Sequence, residues 1–232
     1  VQPVFPSRLP RGGESCLLLV LLRISEFMCR ILFIFLASLL VAGPAGPALA
    51  TTGSDPFPVH ASMRPNVEFW EKVYSAYPST KGVLHDSKNL AIIYEVIDLA
   101  PHGHGSRQVN RRRVEQAKER YQAMLARFAQ GTSPTTKIEC RVYGMFGPSP
   151  TRDAFRQARD DIRCQTGQKD KFLAGLKRSG KYLERLQDIF RNQGLPEDLA
   201  YLPHVESSYN YEAYSKFGAA GIWQFTRATG KR

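Results

Sequence analysis

The sequence predicts a mainly α-helical protein, and three observations carry that prediction. From Arg107 to Gln130, apolar or small residues recur at Val109, Val114, Ala117, Tyr121, Met124, Leu125 and Phe128, the spacing of one helix face. From Tyr182 to Phe190 the same spacing returns in Tyr182, Leu183, Leu186, Ile189 and Phe190, and Gly194 follows as a residue suited to a left-handed C-terminal position. Leu195-Pro196-Glu197-Asp198 then opens another helix. Proline suits a first turn because its missing N–H would be unpaired there, and two acids favour the positive end of the helix dipole.

The elements follow in order. Residues 1–27 hold no methionine and one short apolar patch, Cys16 to Leu22, and read as translation upstream of a start at Met28. Residues 28–50 read as a signal peptide: Arg30, an apolar run of 12 residues from Ile31 to Ala42, a Gly43-Pro44 break and the A-x-A pattern Ala48-Leu49-Ala50. The run is too short to span a bilayer comfortably, so membrane association is expected only through this segment if it stays uncleaved. Cleavage would start the mature chain near Thr51 and place it in the periplasm or cell envelope.

Residues 51–65, rich in Pro, Ser and Thr, read as a linker. Residues 66–165 read as a helical accessory region. Asn66 is placed to cap a helix carrying Val67, Phe69, Trp70, Val73 and Tyr74. Asn89 to Leu99, apolar nearly all round, reads as a buried helix. Residues 131–150 fit a short strand or turn around IECRVYGMF, and Arg152–Arg163 and Lys169–Arg178 read as helices. Residues 166–232 form the last region. There LAYLPHVE is expected as one helix, bent or loosened at Pro203, with Glu206 at or near its C-terminal end.

The whole chain carries 32 basic and 21 acidic residues, formal net charge +11. That suits an anionic partner such as nucleic acid, an acidic membrane surface or an acidic polysaccharide. The run Arg111-Arg112-Arg113 lies on the polar side of its helix and reads as a solvated face, so nucleic acid is not the expected partner. His102 and His104, in PHGHGS, lack a clear third ligand and read as a polar loop. No metal and no cofactor are expected. After residue 50 two cysteines remain, Cys140 and Cys164. In an oxidising compartment they either form a disulfide, contributing about 3 kcal/mol, or stay as free thiols.

The chemistry concentrates in VESSYNYEAYSKFGAAGIWQF, residues 205–225. Glu206 follows Leu202 and Val205 in a mostly apolar helix. Desolvation there disfavours the anion and raises the pKa, as a general acid near neutral pH requires. Ser207 and Ser208 can bond the carboxylate or the backbone at the helix end. Gly218-Ala219-Ala220-Gly221 lets another helix or a ligand approach the backbone. Trp223 offers a flat apolar face of the kind that stacks on sugar rings, and Gln224 both donates and accepts hydrogen bonds.

Residues 194–231, GLPEDLAYLPHVESSYNYEAYSKFGAAGIWQFTRATGK, closely resemble the opening half of the catalytic domain of lytic transglycosylases, lysozyme-like enzymes that cleave peptidoglycan. The pattern is nearest to the membrane-bound lytic murein transglycosylase D group. It rests on Glu206, Ser207, Tyr209, Ala213, Ser215, Gly218, Ala219, Gly221, Trp223, Gln224, Phe225, Thr229 and Gly230. The resemblance implies a lysozyme-like fold of the goose-type and soluble lytic transglycosylase kind. It implies Glu206 as the catalytic acid, protonating the β-1,4 oxygen between N-acetylmuramic acid and N-acetylglucosamine. The same group, as carboxylate, would then take the proton of the C6 hydroxyl as a 1,6-anhydro end forms. Ser207, Ser208, Gly218, Ala219, Gly221, Trp223, Gln224 and Phe225 would hold or shape the site for peptidoglycan strands. The family domain extends further than the matched residues and supplies later helices. The resemblance therefore implies an incomplete domain in residues 166–232, with weak or no turnover. A non-catalytic wall-binding protein and a goose-type hydrolase are the alternatives.

Overall fold

The computed structural model describes residues 55–231. The upstream stretch, the signal peptide and the start of the linker lie outside the described residues. Among those described are seven α-helices and one three-stranded sheet, so the architecture is mainly α.

Helix α1 (Arg64–Ser75) begins earlier than its sequence suggests. Pro65 sits in the first turn, where no N–H is needed, and Asn66 is inside the helix rather than its cap. Strand β1 (Lys81–Asp86) follows, then β2 (Ile93–Asp98). The stretch Asn89–Leu99 is therefore a turn and a strand, not a buried helix. Its apolar residues point both ways because both sheet faces are covered. Ile92, Tyr94, Ile97 and Leu99 join the core under the long helix, while Ile93 and Val96 pack with Phe69, Val73 and Val83 on the α1 side.

Helix α2 (Ser106–Ala129) matches its predicted span and buries Ala117, Tyr121, Leu125 and Phe128. His102 and His104 are exposed in the loop before it, and Arg111, Arg112 and Arg113 lie on its exposed side. The stretch expected as a strand or turn is helix α3 (Lys137–Gly144). Thr136 and Glu139 start it with a capping box. The Thr136 hydroxyl accepts from Glu139 N–H, and the Glu139 carboxylate accepts from Thr136 N–H. Glu139 also pairs with Arg127 of α2 at 2.7 Å.

Helix α4 (Arg152–Asp160) is shorter than expected, because the chain turns at Asp161 into β3 (Ile162–Thr166). The sheet order is β2-β1-β3, antiparallel throughout. Region 66–165 thus contains a sheet as well as helices. Cys140 is exposed on α3, while Cys164 on β3 packs against the core under α2. Both are free thiols, so the bridge that the sequence allowed is not formed. Burial pushes the Cys164 thiol up to about 11.

The sheet feeds directly into helix α5 (Lys169–Ser179). Gly167 N–H donates to Lys81 O at 2.9 Å, Gln168 N–H to Val73 O at 2.8 Å and Lys169 N–H to Tyr77 O at 3.0 Å. The Asp170 carboxylate accepts from Ser79 N–H at 2.7 Å and from its hydroxyl at 2.6 Å. A Cβ at Gly167 would lie 2.2 Å from Tyr77 O and 2.4 Å from Pro78 O, a collision with backbone that only glycine avoids. Gly167→Ala is expected to cost about 2 kcal/mol of stability, read from chemical denaturation.

Helix α6 (Leu183–Asn192) ends where predicted, with Gly194 at φ +67°. The next element is divided. A 3-10 turn covers Glu197–Tyr201, and α7 (Pro203–Glu206) starts afresh with proline in its first turn. Arg191 clamps the entry by binding both carboxylate oxygens of Glu197, at 2.7 and 2.8 Å. Among the described residues no helix is long and apolar enough to cross a membrane.

Candidate active site

Glu206 is the last residue of α7 and is half-buried. Its carboxyl makes no hydrogen bond or ion pair among the described residues. Burial alone raises its pKa above the usual glutamate value. No second carboxylate contributes to that shift.

The backbone after Glu206 turns sharply. Ser207 N–H and Tyr209 N–H both donate to Pro203 O, each at 3.1 Å, which closes the helix end. Ser208 and Tyr209 take left-handed angles, φ +52° and +56°. Two consecutive non-glycine residues there cost on the order of 1 kcal/mol each or more, so surrounding contacts must hold them. Tyr209 is fully buried, its hydroxyl donating to Ala200 O and its ring 4.7 Å from His204. Arg178 Nε donates to Ser208 O at 2.8 Å. Gly175 of α5 makes room, since a Cβ there would lie 3.1 Å from Ser208 Cβ and 3.3 Å from His204 Nδ1.

His204 is the unusual member of this support. It is buried against Phe172 and Tyr209, and neither ring nitrogen has a hydrogen-bond partner among the described residues. Burial, helped by the nearby Arg178 charge, lowers its pKa to about 4.

The small-residue stretch is not a helix-packing surface. Residues 213–225 form a tight double turn, with bridges pairing Tyr214 with Ala220 and Ala220 with Phe225. Gly218 and Gly221 supply positive φ, +80° and +76°. The Ser215 hydroxyl accepts from Ala219 N–H at 3.0 Å and Phe217 N–H at 3.3 Å. The Ser207 hydroxyl donates to Ile222 O at 2.9 Å, which ties this loop to the end of α7 beside Glu206.

Each predicted residue can now be placed. Ser207 bonds backbone rather than the carboxylate, and Ser208 contributes its carbonyl. Gly218, Ala219 and Gly221 shape the loop. Gln224, at φ +49°, spends its amide N–H groups on Gly221 O and Ala213 O, at 2.9 and 3.2 Å. Trp223 is half-buried, edge-on to Phe190 and stacked near Phe225, which is exposed. Sequence reasoning missed Gly175, Arg178 and His204. They lie on the preceding helix or inside the apolar face, and no local pattern marks them.

The arrangement joins a desolvated acid, without a partner among the described residues, to a loop of small residues and aromatic faces, which is what proton donation to a bulky polar substrate needs. Among the described residues no group of three or more His, Cys, Asp or Glu side chains is placed to hold a metal. No curated protein and no solved structure matches the chain. Residues 187–232 match the family model for the transglycosylase SLT domain.

Proposed function

We propose that this protein acts on peptidoglycan as a lytic transglycosylase, with Glu206 as its single acid and base. The observation that carries the reading is the Glu206 carboxyl: raised in pKa by burial, free of partners among the described residues, and inside the segment matching the SLT family. Glu206 would donate its proton to the β-1,4 oxygen linking N-acetylmuramic acid to N-acetylglucosamine. As the carboxylate it would then accept the proton of the muramoyl C6 hydroxyl as that oxygen attacks C1. The bond to the leaving sugar breaks, the 1,6-anhydro ring closes, and no water is consumed.

Most glycosidases pair the acid with a second carboxylate that serves as nucleophile or base. No other carboxylate perturbs Glu206, which favours the one-acid scheme. Trp223 and Phe225 would supply apolar faces to the sugar rings, and the loop from Gly218 to Gly221 would form one side of the groove. The net charge of +11 suits an acidic wall polymer. Export through residues 28–50 would bring the protein to it.

The test is product analysis. Purified peptidoglycan is incubated with the protein and the fragments are weighed by mass spectrometry. Anhydromuramoyl ends are expected, each lighter by one water than the reducing ends a goose-type hydrolase would leave. Identity of the ends is read rather than rate. Reducing ends only would replace this reading with the hydrolase. Binding without any cleavage would replace it with a wall-binding role.

A further inference from the structure

The short helix that ends at Glu206 shares an apolar cluster with a distant part of the chain. Tyr74, near the end of α1, meets Phe172 of α5 edge-on, with ring centroids 5.8 Å apart. Phe172 is the buried centre of a cluster that also takes in Leu176, Tyr201 and Val205, the residue before Glu206. Trp70, one turn earlier in α1, tilts against Tyr74 at 6.1 Å. The end of α1 is pinned where α5 begins, by the bonds from Gln168 N–H to Val73 O and from Lys169 N–H to Tyr77 O. Tyr74 therefore cannot swing away without breaking that junction. Its hydroxyl makes no hydrogen bond among the described residues, so packing of the ring is what holds it.

We propose that the region N-terminal to the family match forms part of the Glu206 site, with the Tyr74 ring as a positioning residue that keeps water off the carboxyl. The Tyr74 phenol is pushed up first by its own burial and then by the Glu206 charge. The other groups around the acid do different things. His204, on the same short helix, is turned into the core. Arg178 of α5 reaches the Ser208 carbonyl. Tyr201 belongs to the apolar cluster. A wall that excludes water from one side of the carboxyl favours the protonated acid. The catalytic consequence rests on the function proposed above, but the shared apolar cluster does not.

The experiment follows the Glu206 carboxyl by 13C NMR titration in the full chain, the resonance being assigned by its loss in Glu206→Gln. Tyr74→Phe keeps the ring and is expected to leave the midpoint unchanged. Tyr74→Ala and the milder Tyr74→Leu are expected to move it down, toward the ordinary glutamate value, the alanine variant further. A midpoint that stays put in either variant, with native circular dichroism, overturns the proposal. Should neither fold, the unsubstituted protein decides. Nuclear Overhauser contacts between the Tyr74 ring and the Glu206 side chain are expected, and their absence overturns the proposal. A midpoint that shifts while Glu206→Gln leaves wall cleavage intact would defeat the enzymatic reading and leave this proposal standing.

Discussion

Glu206→Gln is expected to lower release of anhydromuropeptides by about a thousandfold or more, while thermal unfolding stays where it is or rises slightly. The amide has the shape of the acid but can neither donate the proton to the leaving oxygen nor take one back. Both halves of the reaction lose their catalyst together. Stability should not fall, because the carboxyl has no hydrogen bond or ion pair among the described residues to lose and its ionised form is disfavoured by burial. The pH profile gives a second reading of the same group. An acid must start protonated, so activity is expected to fall as pH rises through the elevated Glu206 pKa. The measurement is product quantitation by mass spectrometry over a pH series, beside a calorimetric scan of each protein. Cleavage that survives the substitution would remove Glu206 from the mechanism.

The second large effect concerns His204. Its folded-state pKa of about 4 lies below the ordinary 6.5, so the fold favours the neutral ring. The unfolded chain takes up the proton first. Stability is therefore complete above pH 6.5 and is lost as pH falls toward 4, by about 2 kcal/mol at pH 5 and about 3 kcal/mol at pH 4. Glu206 acts in the opposite sense. Its raised pKa means that the folded state holds a proton the unfolded chain has released, so acid relieves part of the loss at the low end of the window. His204→Phe removes both unpartnered nitrogens and keeps a ring between Phe172 and Tyr209. The expected result is a flatter stability profile between pH 7 and 4, close to one bound proton less in its slope, measured by urea unfolding at each pH. An unchanged slope would show that the ring is not neutral in the fold.

Legibility in the sequence followed the strength of local patterns. The helix now seen as α2 was plain because one face alone is buried, at Ala117, Tyr121, Leu125 and Phe128. The end of α6 was plain because Gly194 is needed at positive φ. The strand at Ile93–Asp98 was misread because its sheet is covered on both faces, which erases the two-residue alternation. Its run of Ile and Val was the better signal, since β-branched residues favour strands. Helix α3 was missed although Thr136-Lys-Ile-Glu139 spells a capping box. At the candidate site, Glu206 and the Gly218–Phe225 loop were legible from the order of residue types. Their supports were not. Gly175 and Arg178 reach the turn after Glu206, and Tyr74 the apolar cluster beside it, only through tertiary packing, across 28 residues or more of chain.

The position of β1 in the middle of the sheet has a consequence for how the protein can be dissected or recombined. It is bonded to β2 on one side and β3 on the other, and β3 runs through Gly167 into the helix that braces Glu206. Trimming the chain from its start up to the first family-matched residue would remove that helix together with the sheet that anchors it. The residues matching the SLT family are thus not a cassette to be transplanted alone: grafting them elsewhere means carrying α1, the sheet and α5 as well.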